Sequence, residues 1–194
     1  SLYQKSRKAE AIGAFSQGVR IKGDNVNPDE VSEMFSILGD LYYEQGRAQE
    51  AFAAYDSSLV YKEDNLSCLN NYAYYLSLRN ERLEQAEEMS YRTVKNEPSN
   101  RTYLDTYAWI LFQKKDYNEA RIYIDRVVSP ESDEDELMNN KDLQGNVIEH
   151  AGDIYYMTGD RQTAVWLWNI ALQKADGSTT EKLPKKIRKK KYIK

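Results

Sequence analysis

The chain has 194 residues, a formal net charge of −4, 41% hydrophobic and 30% charged residues, which admits one or two ordinary domains or one short solenoid. Its single cysteine, Cys68, excludes a disulfide scaffold and a cysteine-rich zinc site. No apolar run is long enough for a membrane-crossing helix.

In chain order, residues 4–22 read as a lone second helix of a hairpin: Glu10-Ala11, Ala14-Phe15 and Val19 align with Glu50-Ala51, Ala54-Tyr55 and Leu59. Half a hairpin cannot bury its apolar face alone, so upstream repeats of the same longer chain are expected. A connector follows at 23–31, where Pro28 suits the first position of the next helix.

Four units then share one pattern. Unit 32–65 carries Phe35, Leu38, Gly39 and Tyr42; unit 66–100 carries Leu69, Tyr72, Ala73 and Leu76. Unit 101–128 carries Leu104, Tyr107, Ala108 and Leu111; unit 145–178 carries Ile148, Ala151, Gly152 and Tyr155. Each set makes one apolar face of a helix, and its small residue lets a neighbouring helix approach closely. Ala51, Ala86, Ala120 and Ala164 do the same from the second helix of each unit. The segment GDLYYEQG at 39–46 returns as GDIYYMTG at 152–159. Short turns join the two helices, and Gly46 and Gly159 fit the left-handed position that ends a helix.

Between the third and fourth units lies an acidic insertion, 129–144, with Asp133-Glu134-Asp135-Glu136 at its centre. It lacks the glycine turn and terminal glutamate of a calcium loop, so a solvated loop or short extra helix is expected. The end, 179–194, is basic. Lys182–Lys194 holds eight basic residues and no acid, which leaves a balance of −12 for the rest of the chain. One reading is a polar capping helix begun near Pro184, with Leu183, Ile187 and Ile193 covering the last hairpin. The other is a tether to anionic lipid or nucleic acid through Lys185, Lys186, Arg188, Lys189, Lys190 and Lys191. Specific nucleic-acid recognition by the acidic body is not expected.

These units resemble the tetratricopeptide repeat, a helix-turn-helix of 34 residues. The leading Trp of that pattern is replaced here by Phe35, Leu69, Leu104 and Ile148, and the second-helix aromatic by Ser90 in the second unit. The resemblance implies an all-α right-handed superhelix of antiparallel hairpins, and a non-enzymatic scaffold that holds a partner protein or peptide in a concave groove lined by first helices. On those helices Asp40, Tyr43, Asn70, Tyr74, Asp105, Trp109, Phe112, Glu149, Asp153 and Tyr156 point away from the packing face. The set is aromatic and acidic, suited to basic or amide-rich segments; some of its rings serve either a groove or packing between repeats. A clamp for a C-terminal carboxylate is not expected, because the needed basic residues are missing.

No catalytic order of Ser, His and Asp, no metal-binding histidine pair and no phosphate loop occurs. The only histidine, His150, sits in a repeat helix, where packing or surface roles are commoner than catalysis. No enzyme activity, cofactor or metal is expected. The phrases Asp105-Thr106-Tyr107-Ala108-Trp109 and Glu149-His150-Ala151-Gly152-Asp153 resemble the C-terminal repeats of large bacterial tetratricopeptide proteins. That likeness implies a periplasmic or outer-membrane-linked setting, with the cytoplasm as the alternative.

Overall fold

The computed structural model describes residue 13 and residues 27–193. The helix expected at 4–22 falls outside the described residues, Gly13 excepted. Among the described residues every regular element is a helix, and the chain divides into two compact units, 1–76 and 77–194.

Unit 1 is built on α1 (Pro28–Glu44), α2 (Ala48–Tyr61) and α3 (Leu66–Leu78), whose last residues pass the unit boundary. The Asn27 side chain accepts from the Asp29 amide at 3.0 Å and Pro28 opens the helix, as its fixed φ allows. Asp29 and Glu30 in the first turn favour the positive end of the helix dipole. Gly46, at φ +76°, ends α1 and turns the chain into α2. The hairpin closes on Leu38 and Ala54, with Phe35, Leu41 and Tyr42 packed around them. Here the small residue of the repeat meets its partner: the Tyr55 ring lies directly over Gly39. Tyr55 and Tyr72 are both fully buried and stack at 5.2 Å.

Unit 2 holds α4 (Leu83–Asn96), α5 (Arg101–Lys114), α6 (Tyr117–Ile124), α7 (Glu134–Asn139), α8 (Gly145–Met157), α9 (Arg161–Lys174) and α10 (Leu183–Lys189). Asn100 caps α5 by accepting from the amides of Thr102 and Tyr103. Every residue of α5 from Tyr103 to Phe112 is buried, so this helix has no solvated face in its middle. In the α8–α9 hairpin, Trp168 lies over Gly152 as Tyr55 lies over Gly39. The acidic insertion forms the short helix α7. Asp133 caps it through the Glu136 amide at 2.8 Å, Leu137 anchors it, and the Lys174 ammonium collects the carbonyls of Leu137, Met138 and Asn140. That ammonium satisfies carbonyls a helix end leaves open. α10 packs on α9, with Leu183 fully buried and Ile187 half-buried.

Candidate partner-binding faces

In unit 1 the centre of the predicted face is Asp40. The Tyr55 hydroxyl donates to its Oδ1 at 2.5 Å, and the Asn71 amide donates to both carboxylate oxygens at 3.1 and 3.2 Å. Burial raises the Asp40 carboxyl above its usual range, and nearby Glu44 and Glu33 add to the rise; the two hydrogen bonds pull the other way. No cation among the described residues pairs with Asp40. Beside it, Tyr43 stacks on Tyr75 at 3.8 Å, and Tyr74 lies against Tyr75 at 5.8 Å. Asp40, Tyr43 and Tyr74 are half-buried. Asn70 is not part of an open surface. It is buried, its amide donates to the Asn71 side chain at 3.2 Å, and its Oδ1 has no hydrogen-bond partner among the described residues.

In unit 2 the register again places acids and rings together, but under cover. Asp105, Trp109, Phe112, Glu149 and Asp153 are all buried; of the predicted positions only Tyr156 is half-exposed, and its ring stacks on Trp168 at 5.7 Å. Asp105 meets His150 Nδ1 at 3.0 Å, and the imidazole lies flat on Trp109 at 4.0 Å. Trp109 in turn stacks on Phe112 at 4.9 Å. The lone histidine is thus a buried packing residue with a polar partner.

The cover is the chain's own C-terminal segment. Asp176 and Ser178 accept from the Gly145 and Asn146 amides, and Thr180 donates twice to Glu149. Lys186 donates to Glu149 Oε1 at 2.8 Å and to both oxygens of Asp153 at 2.7 and 2.5 Å. Tyr192 sets its ring edge-on to Phe112 at 5.4 Å. Despite the ammonium, burial pushes the Asp153 carboxyl up to about 6, because desolvation outweighs the pull of Lys186.

Two expectations are corrected here. Five groove positions in unit 2 are buried: Glu149, Asp153 and Phe112 meet Thr180, Lys186 and Tyr192 of the segment after α9, and Asp105 and Trp109 meet His150 of α8. Lys186 is no surface tether: it is 2% exposed and neutralised inside the fold, whereas Lys185, Arg188, Lys189, Lys190 and Lys191 remain exposed. Sequence reasoning missed Lys186, Tyr192 and Thr180 as partners of the acidic positions. One signal existed: Lys186 lies three residues after Leu183 and one before Ile187, on the same helical face.

Among the described residues no cluster of His, Cys, Asp and Glu is placed to hold a metal ion, and no helix is long and apolar enough to cross a membrane. Cys68 is buried and its thiol is pushed up to about 11 by that burial, the opposite of a reactive thiolate.

A family model described as tetratricopeptide repeat matches residues 1–65. No curated protein matches the sequence. Among solved structures, MamA from Desulfovibrio magneticus RS-1, from its residue 41 to the end, superposes with a TM-score of 0.66 at 12% identity, over 92% of this chain and 91% of that one. A thermophilic TPR protein of Thermus thermophilus gives 0.65 at 14%, over 97% and 93%. PilF of Pseudomonas aeruginosa gives 0.58 at 16%, over 94% and 88%. At such identities the likeness concerns the fold.

Proposed function

We propose that the chain, whose residues 1–65 match the tetratricopeptide repeat and whose fold is that of a thermophilic TPR protein, acts as a non-enzymatic scaffold whose first-helix faces bind segments of partner proteins. The observation that carries the reading is the state of Asp40. Its carboxylate is half-buried, held in place by Tyr55 and Asn71, flanked by the stacked Tyr43–Tyr75 pair, and without a cation among the described residues. Its counterpart in the duplicated motif, Asp153, holds a lysine. A carboxylate that has lost part of its hydration and keeps fixed donors on one side gains most from a cation on the other. Rigid rings beside it supply contact area at little entropic cost. The partner is therefore a segment presenting a lysine or arginine with neighbouring apolar or aromatic groups.

Peptide display on the full chain tests this. Segments with Lys or Arg should be enriched, and Asp40→Asn and Tyr43→Ala should each lose that enrichment while keeping the parent's circular dichroism. Selection of acidic segments, or an unchanged pool with Asp40→Asn, would sink the reading.

A further inference from the structure

Unit 2 contains a lysine seat that is already filled. The Lys186 ammonium has three hydrogens, and it meets the three acceptor oxygens Glu149 Oε1, Asp153 Oδ1 and Asp153 Oδ2. The other oxygen of Glu149 is taken by the Thr180 amide, and Asp153 Oδ1 also accepts from the Trp168 indole at 3.0 Å. Tyr192, six residues after Lys186, puts its ring on Phe112, and the ammonium stands 5.4 Å from that ring's centre. The acceptors and Phe112 are first-helix positions that the repeat register turns away from hairpin packing.

We propose that this face is a binding site for a peptide segment carrying a lysine and, about six residues later, an aromatic ring, and that the C-terminal segment closes it in cis until such a segment displaces it. This goes beyond the reading of the Asp40 face and does not depend on it.

The cover is built differently from a simple apolar cap. An apolar side chain at position 186 would cover the hairpin end without taking charges out of water, and buried ion pairs rarely stabilise more than apolar replacements. What the pair does provide is discrimination: with Glu149 and Asp153 buried, an empty seat leaves two carboxylates unpaired, so the seat favours exchange of one ammonium for another over standing open. The occupying segment is also the kind that lifts. α10 has seven residues, far below the length at which a helix persists alone. Lys185, Arg188 and Lys189 within it and Lys190 and Lys191 after it are exposed, and Gly177 in the lead-in has φ +76°. Short elements near a chain end open locally at lower cost than core helices. A tethered occupant competes at an effective concentration on the order of mM, which excludes weak segments and admits those that fit better.

The probe is a labelled synthetic peptide of residues 179–194, titrated by fluorescence anisotropy into the full chain. The parent should bind it weakly. Tyr192→Ala loosens the occupant without leaving a buried charge unpaired, and should bind the peptide about tenfold more tightly as the cis competitor weakens. Lys186→Ala should bind it more tightly still. The same peptide carrying Lys186→Met should not bind any of them. Should Lys186→Ala fail to fold by circular dichroism, the unmodified chain decides: excess peptide should speed amide hydrogen exchange across residues 183–192, and the Lys186→Met peptide should not. A folded Tyr192→Ala chain that ignores the peptide, equal binding of the Lys186→Met peptide, or unchanged exchange in the parent overturns the proposal. So does a Tyr192→Ala chain that dimerises and excludes the peptide, since the occupant would then be a second copy.

Discussion

Trp168 donates its indole N–H to Asp153 at 3.0 Å, and it lies against the glycine that precedes that acceptor. Tyr55 repeats the relation in unit 1, with its hydroxyl on Asp40 and its ring over Gly39. In both hairpins one ring closes the helix pair and fixes the carboxylate beside it. Packing and the placement of the carboxylate are thereby joined: the small residue admits the ring, and the ring orients the acid.

The glycines are the first place to test this. A Cβ at Gly39 would fall 2.3 Å from the Tyr55 ring, and one at Gly152 would fall 2.5 Å from the Trp168 ring. Both rings are fully buried and have nowhere to move. Alanine gains about 1 kcal/mol of helix propensity over glycine, but overpacking of this severity costs about 1–3 kcal/mol and wins. Gly39→Ala and Gly152→Ala should each lower the urea midpoint. A midpoint at or above the parent's would mean that the rings do not close the hairpins.

The ring's polar end gives a second test. Tyr55→Phe keeps the packing on Gly39 but removes one of the donors that hold Asp40. A hydrogen bond to a charged group contributes about 1.5–3 kcal/mol when buried; Asp40 is only half-buried, so a loss of about 1–2 kcal/mol is expected near neutral pH. Burial already raises Asp40, and the tyrosine bond opposes that rise. The variant should therefore titrate Asp40 at a still higher pH, read from its side-chain carbon resonance by NMR. A downward move or none would show that the hydroxyl does not stabilise the carboxylate.

The hairpins were legible because their signals are local. The large-large-small-large spacing and the duplicated GD-x-YY-x-x-G segment sit within single helices, and Gly39 and Gly152 have the contacts their size suggests. The state of the two faces was not legible. Lys186 meets Asp153 from 33 residues away and Glu149 from 37, and His150 meets Asp105 from 45. Periodicity carries nothing over such distances. A basic run also looks solvated in sequence, and only the docking of α10 singles out Lys186 from its neighbours. The burial of Asp105 and Trp109 likewise comes from what lies over α5, not from α5 itself.

The interhelix turns were half legible, and they offer a third prediction. Gly46 and Gly159 occupy the left-handed region at φ +76° and +96°, and Lys115 occupies the same region at φ +72° in the corresponding turn. A side chain there costs about 1–2 kcal/mol, partly offset because glycine loses more entropy on folding. Lys115→Gly should thus stabilise by about 0.5–1 kcal/mol. Gly46→Ala, with no atom near the added Cβ, should destabilise by about 1 kcal/mol through the backbone alone. Thermal unfolding of the two variants decides; equal shifts of one sign would mean that these turns are not conformationally strained.

The last prediction concerns pH and Asp153. In the folded chain its carboxyl titrates at about 6, chiefly because burial disfavours the charge, with Glu149 adding to the rise and Lys186 and His150 opposing it. In the unfolded chain an aspartate titrates near about 3.9. Between these values the folded state binds more protons, so the unfolding free energy falls as pH rises. Asp153 thus contributes stability that is fully present below the unfolded value and is lost as pH passes about 6. The surface carboxylates titrate in parallel in an Asp153→Asn variant and cancel in the comparison. Relative to that variant, the parent should lose about 2 kcal/mol between about pH 4.5 and about pH 7, measured by urea unfolding at each pH. A parent that instead gains stability over this range would mean that Lys186 holds the carboxylate charged at acid pH, with the pair outweighing the desolvation of Asp153.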